Sequence, residues 1–179
     1  MRIFLLLLVL LSQTIRAEPL LYFHVGATWT YQVEGGHQET VTNRVSEIRA
    51  VNGKNWYKLI EYGEVFWVAN SEKGQVEAVN FFEGNPGQLE VPEEILVFKY
   101  PAKIGETWNN NESPTTYSGL EKITVPAGSF ECHSYYIDMG QGNYSKSCIA
   151  VNIGVVYNEA VLKGGAKEVS RLIKYEQKI

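Results

Sequence analysis

The chain has 179 residues, of which 45% are hydrophobic and 12% aromatic, and its 16 basic and 20 acidic residues give a formal net charge of −4. This length suits one domain and is too short for two large ones. The acidic balance and the lack of a basic cluster exclude nucleic acid as an expected partner.

The first 17 residues have the order of a secretory signal peptide: a basic start at Met1-Arg2, an apolar run over residues 3–11 and a small residue at Ala17. The run is about half as long as a helix that spans a bilayer, so we expect export with no membrane span after cleavage. Residues 18–179 are then a single domain, periplasmic or extracellular. Without Arg2 and Arg16, that domain has 14 basic and 20 acidic residues and a formal net charge of −6.

The remaining sequence predicts an all-β fold. Apolar and aromatic residues come in short runs broken by Gly, Asn and Pro, and no long window has helical spacing. Residues 83–94 contain two prolines and two glycines and are predicted to be a long loop. The predicted strands, in chain order, are residues 28–33, 39–51, 56–62, 65–70, 75–82, 95–100, 116–125, 129–137, 144–151, 155–161 and 168–175.

Turn signals predict how these strands connect. Asn52-Gly53 suits a type I′ turn and is the best hairpin signal in the chain. In an alternating strand Val41 and Val45 would lie on one face and Ile48 on the other, which predicts a β-bulge between Val45 and Ile48. About ten strands with local connections predict an antiparallel meander that forms a curved sheet, a half-barrel, a lipocalin-like barrel or a sandwich.

A weak internal repeat raises the alternative of two related halves. Residues 26–29 (Gly-Ala-Thr-Trp) recur as residues 105–108 (Gly-Glu-Thr-Trp). Three further pairs keep the same order: residues 56–59 with 132–135, 67–69 with 148–150, and 74–76 with 154–156. The fold either contains two related sheet halves or reuses similar strands by chance.

The two cysteines, Cys132 and Cys148, are predicted to form a disulfide in an exported protein. A hairpin centred on Gly140 would place them directly opposite each other, within disulfide distance. A redox-active pair is not supported, because the chain has no Cys-x-x-Cys motif.

Catalytic and metal-binding patterns are missing from the sequence. His24, His37 and His133 have no ligand spacing, and Asp138 is the only aspartate. No nucleophile elbow, phosphate loop or zinc motif occurs, so we assign no catalytic residue, metal or cofactor. A glutamate-dependent hydrolase stays open as an alternative, with Glu61, Glu64 or the pair at residues 93–94 as carboxylates.

The aromatic residues are the main hint of binding. Trp29, Trp56, Trp67 and Trp108 are candidates to line a concavity, with the core as the competing interpretation. Two adjacent aromatic pairs, at residues 56–57 and 66–67, require one member of each pair to point away from the core face.

The segments at residues 124–132 (Thr-Val-Pro-Ala-Gly-Ser-Phe-Glu-Cys) and 150–157 (Ala-Val-Asn-Ile-Gly-Val-Val-Tyr), with an upstream Gly-x-Thr-Trp, resemble small exported bacterial β-proteins of uncharacterised function. The resemblance covers about half of the domain. It implies an extracytoplasmic β-domain shaped like an open lipoprotein-carrier barrel, and it carries no catalytic residue.

The sequence therefore favours a non-enzymatic binding or accessory protein with an aromatic-lined concavity for an apolar small molecule, a lipid or a partner peptide. An envelope interaction module that has no cavity and uses a sheet edge or an exposed patch is the first alternative. The glutamate-dependent hydrolase is the second. The oligomeric state is not determined by the sequence.

Overall fold

The computed structural model describes residues 19–21, 23–79, 93–111, 113–162 and 164–177. The predicted signal peptide and most of the predicted loop at 83–94 lie outside these ranges. In the described residues no helix has the length and apolar character needed to cross a membrane. The described chain forms twelve strands: β1 Thr28–Glu34, β2 Thr40–Val51, β3 Lys54–Glu61, β4 Glu64–Ser71, β5 Gly74–Ala78, β6 Glu94–Lys99, β7 Thr107–Asn110, β8 Ser113–Val125, β9 Gly128–Gly140, β10 Asn143–Ala150, β11 Gly154–Leu162 and β12 Ala166–Glu176.

All twelve strands belong to one antiparallel sheet with the order β6-β5-β4-β3-β2-β1-β12-β11-β10-β9-β8-β7. Pairing of β1 with β12 joins the first and last strands, so the meander curls into a nearly closed barrel with one open seam between β6 and β7. The all-β antiparallel prediction is confirmed. The count of about ten is wrong, and β7 was missed because it has only four residues and is rich in Asn.

The internal repeat in the sequence agrees with the topology. Residues 26–29 lead into β1 and residues 105–108 into β7, and the other matched segments lie on β3 and β9, β4 and β10, and β5 and β11. Each match is therefore displaced by six strands. Backbone contacts repeat as well, because the amide of Gly26 donates to the carbonyl of Val45 and the amide of Gly105 to that of Tyr117. In both halves the register then shifts by one residue, between Val45 and Glu47 and between Tyr117 and Gly119.

Two local predictions about β2 are confirmed. The shift after Val45 is the β-bulge expected from the parity change in that strand. Asn52 and Gly53 both have positive φ, 49° and 77°, as a type I′ turn requires. These features follow from the local sequence because turn chemistry and side-chain alternation act over only a few residues.

The predicted disulfide is confirmed, but the register that suggested it is wrong. Cys132 and Cys148 are bonded, with their Cα atoms 5.4 Å apart. Cys148 lies opposite Ser134 and not opposite Cys132, so the bond joins diagonal neighbours on β9 and β10. The turn is formed by residues 141–142 and not centred on Gly140, and an irregularity beside Tyr144 moves the pairing back by one residue, so that Cys148 ends two residues from the predicted partner.

Side chains hold the seam where the backbone ladder is interrupted. The indole nitrogen of Trp108 on β7 donates to the carbonyl of Leu96 on β6 at 3.0 Å, and the Tyr135 hydroxyl donates to the carbonyl of Lys99 at 3.0 Å. Lys99 also forms an ion pair with Glu106, just before β7. These bonds satisfy backbone acceptors that would otherwise lie unpaired on a sheet edge.

Replacing both cysteines by serine should lower the free energy of unfolding by about 3 kcal/mol, because a 16-residue separation is left unconstrained in the unfolded chain. Urea denaturation of the oxidised protein, the reduced protein and the double variant provides the measurement. The reduced protein and the variant should agree, and equal stability of all three would contradict the prediction.

Trp108→Phe should lower the free energy of unfolding by about 1–2 kcal/mol, because the Leu96 carbonyl loses its donor. Amide hydrogen exchange should accelerate in β5 and β6, next to the seam, and stay unchanged in β1 and β12 on the closed side. Uniform acceleration across all strands would show that Trp108 supports the whole core and not the seam.

Candidate ligand-binding cavity

The barrel encloses a cavity of about 520 Å³. Alternate residues line it, as expected for strands that present one face inward: Leu59 and Glu61 on β3, and Phe66 and Val68 on β4. Its volume lies within the range of roughly 300–1,000 Å³ that is typical of small-molecule sites.

One end of the cavity is apolar and is closed by the segment that precedes β1. Leu21 and Phe23 line this end, and the ring of Phe23 packs on that of Tyr57 with centroids 5.4 Å apart. The amide of Asn152 donates to the carbonyl of Leu20 at 2.8 Å, which holds the segment against the turn before β11. This end therefore offers a binding surface for a hydrocarbon group.

The cavity opens at the opposite end, where β3 ends. Tyr62 lines the cavity and is 45% exposed, so it marks the rim together with the exposed Glu64. The Tyr62 hydroxyl forms a hydrogen bond with Ser170, and its backbone amide donates to Asn43 Oδ1 at 3.3 Å. These bonds connect β2, the β3–β4 turn and β12 around the opening.

The two facing walls carry different polar groups. On β10 and β11, Asn158 donates to Ser145 Oγ at 3.1 Å and to Ser147 Oγ at 2.8 Å, which gives a wall of hydroxyl and amide groups. On β3–β5 the corresponding wall is acidic, with Glu61, Glu64 and Glu77 all lining the cavity. β4 and β10 are six strands apart in the twelve-stranded order, so the two walls lie across the barrel from each other.

The cavity glutamates are held in an environment that disfavours their charge. Burial raises the pKa of Glu61, the hydrogen bond that it accepts from Asn43 at 3.0 Å lowers it, and the nearby charge of Glu77 raises it again. Burial also raises the pKa of Glu77. Glu159, outside the cavity, accepts bonds from Tyr157, Lys167 and Tyr144, and its pKa falls to about 2. The chain can therefore stabilise a carboxylate fully, and it does not do so inside the barrel.

The structure places one of the four predicted tryptophans at the cavity. Trp29 lines it and donates its indole hydrogen to the carbonyl of Ile153. Trp56 and Trp67 lie on the opposite face of β3 and β4, in a buried cluster with Val51 and small aliphatic residues. Trp108 packs in a third cluster at the seam, edge-on to Tyr135. These three tryptophans belong to the core, which was the competing interpretation of the aromatic residues.

Sequence parity separates the two faces of a strand but does not say which face is inside. In the pair at residues 66–67, Phe66 points into the cavity and Trp67 away from it, as the adjacency required. Asn43, Glu77 and the hydroxyl wall were missed, since isolated polar residues in strands usually face solvent. The only signal for Asn43 and Ser147 was that they share a strand face with apolar neighbours, whereas Glu77 shares its face with the polar Gln75.

The glutamates considered from the sequence are divided between the cavity and other parts of the fold. Glu61 and Glu64 line the cavity, whereas Glu94, the first residue of β6, pairs with Lys54. Within the described ranges, the one cluster with metal-ligand geometry is Glu121 with Cys132 and Cys148, whose thiols are consumed by the disulfide.

No protein-family model matches the chain, and no curated protein sequence matches it. A solved protein from Bacteroides fragilis, described as exported and as having a YmcC-like fold, is similar with a TM-score of 0.49 and 14% identity, covering 88% of this chain and 99% of that one. A protein from Parabacteroides distasonis described as a lipoprotein has a TM-score of 0.46 and 13% identity, covering 89% and 100%. The hypothetical lipoprotein YmcC from Escherichia coli has a TM-score of 0.37 and 10% identity, covering 86% of each chain. These values are too low to assign the chain to a family.

Glu61→Gln should raise the free energy of unfolding at pH 7 by on the order of 1 kcal/mol, because the amide keeps the bond from Asn43 without a charge. The folded-state pKa of Glu61 lies above its unfolded value. Its protonated form therefore contributes fully below the unfolded pKa, and that contribution is lost as pH rises through the folded pKa. The two proteins should be equally stable near pH 4 and diverge toward pH 8 in urea denaturation. Glu159→Gln is the control and should destabilise at pH 7, because it removes a carboxylate that three donors stabilise.

Proposed function

We propose that this chain is an exported, non-enzymatic binding protein that holds a small amphiphilic molecule inside its barrel. The observation that carries the proposal is the cavity itself, which is apolar at the end closed by Leu21 and Phe23 and polar at the rim of Tyr62. A ligand of matching polarity would lie along the barrel, with its apolar part enclosed and its polar part near the opening.

Two features of the cavity favour binding over an envelope module that lacks a cavity. The interior surface includes Leu59, Phe66 and Val97, which are only half-buried, whereas a packed module would bury them against one another. The polar groups of the rim are joined by hydrogen bonds between separate strands, so the opening is preorganised. Export rests on the signal-peptide pattern of residues 1–17.

One observation supports the hydrolase alternative: Glu61 and Glu77 share the cavity, and each has a raised pKa, as a general acid requires. The cavity offers these carboxyls no histidine partner among its described lining residues. Turnover of aryl glycosides that is lost in Glu61→Gln and in Glu77→Gln would favour this alternative over binding alone.

Ser145→Phe should fill the cavity and weaken binding of the neutral apolar probe N-phenyl-1-naphthylamine by at least about tenfold, since a ring would occupy the ligand volume. The measurement is probe fluorescence titrated against protein. Gln75→Phe, which blocks the cavity from β5, should act in the same way if Ser145→Phe folds poorly.

Ser129→Phe is the matched control, because Ser129 is exposed on β9, outside the cavity, and bonds only to Thr124 among the contacts described for its side chain. It should bind the probe like the unmodified protein. Equal probe affinity in all four proteins, or no probe binding by the unmodified protein, would overturn the proposed function.

A further inference from the structure

The charged residues that the structure describes along the cavity are all acidic. Glu61, Glu64 and Glu77 face it, and no lysine, arginine or histidine is present among the described residues that line it. Many of the protein's cations have acidic partners outside the cavity, as in the ion pairs of Lys146 with Glu121 and Lys167 with Glu159. A site of this kind discriminates by charge, because none of the described lining residues is a cation that could neutralise an anionic ligand.

The acidic groups are placed where the polar end of a ligand would lie. Glu61 is the last residue of β3, Glu64 the first of β4, and Glu77 the last but one of β5. The apolar end, at Phe23, lies where the odd-numbered strands begin. The carboxyls and the hydrocarbon surface are therefore separated along the barrel, and one elongated molecule can reach both.

Glu61 of the acidic wall has fewer hydrogen-bond donors than a carboxylate can use. Asn43 supplies one hydrogen bond to Glu61, whereas a carboxylate accepts up to about four. The charge of Glu77 disfavours the charge of Glu61, and burial disfavours both charges. A bound cation with N–H donors would reverse each of these effects at once.

From the cavity's shape and charge, we infer that the ligand is a cationic amphiphile, with an ammonium head held by Glu61 and Glu77 and a hydrocarbon tail against Phe23 and its apolar neighbours. This inference rests on the proposed function, because it names the class of molecule that the cavity binds. Ser145 and Ser147 lie on the facing wall, across from the head, and their hydroxyl oxygens already accept hydrogen bonds from Asn158. The carboxylates of the acidic wall are therefore the strongest hydrogen-bond acceptors for the ammonium group.

The test compares three probes with the same tail and different heads: dodecylammonium, dodecanol and dodecanoate. The affinity of each probe is measured at pH 8 by its displacement of N-phenyl-1-naphthylamine from the protein. Each probe is kept below its own critical micelle concentration. Dodecylammonium should bind about tenfold more tightly than dodecanol, and dodecanoate should bind most weakly, because only the first gains from the carboxylates.

Two variants with the same net charge distinguish the effect of the cavity carboxyls from the effect of the protein's overall negative charge. Glu61→Gln with Glu77→Gln should abolish the roughly tenfold preference for dodecylammonium over dodecanol. The control carries Glu131→Gln and Glu39→Gln, two exposed sites outside the cavity, and has the same net charge. It should keep the full preference for the ammonium head.

Each remaining outcome has a distinct meaning. If dodecanol or dodecanoate binds at least as tightly as dodecylammonium, the charge inference is overturned and the binding function stands. If both variants lose the ammonium preference equally, the preference reflects net charge and the inference is overturned. If the protein binds neither the naphthylamine nor any dodecyl probe, the proposed function fails and the inference fails with it.

Discussion

The width of the barrel is the constraint from which the cavity follows. Side chains fill a closed barrel of about eight strands, and wider barrels leave an interior space. The described residues form a sheet of twelve strands, and the pairing of β1 with β12 curls them around a common interior. Leu21 and Phe23 occupy one end, and a volume of about 520 Å³ remains. Two features therefore shape the site. β1 and β12 close the barrel by pairing with each other, and Leu21 and Phe23, which precede β1, cover the closed end of the cavity.

The two halves of the barrel, β1–β6 and β7–β12, have the same strand order, but the two boundaries between them are held together differently. β12 and β1 form a backbone ladder with one irregularity after Thr30, whereas β6 and β7, which occupy the corresponding boundary, are joined by side chains. The four-residue length of β7 limits how many backbone bonds that edge could form. Trp108 and Tyr135 replace part of the ladder, so Trp108, a candidate for ligand binding from the sequence, instead satisfies the backbone at the seam.

The electrostatics of the interior oppose the stability of the fold. Glu159 shows how this chain stabilises a carboxylate, with two tyrosine hydroxyls and a lysine. Glu61 and Glu77 have fewer stabilising partners than Glu159, and burial raises the pKa of both. Groups that cost a protein stability are characteristic of sites that act on a ligand, because natural cores otherwise exclude them.

Local sequence patterns account for the all-β class, most strand positions, the turn at Asn52-Gly53, the bulge after Val45 and the pairing of the two cysteines. These features depend on alternation, on turn conformations that few residues adopt, and on a cysteine count that allows only one intramolecular pair. Tertiary structure alone decided which face of each strand points inward, the diagonal register of the disulfide and the gathering of Glu61 with Glu77. Strand alternation is symmetric between the two faces of a sheet, and curvature breaks that symmetry only when twist and bulges accumulate over all twelve strands.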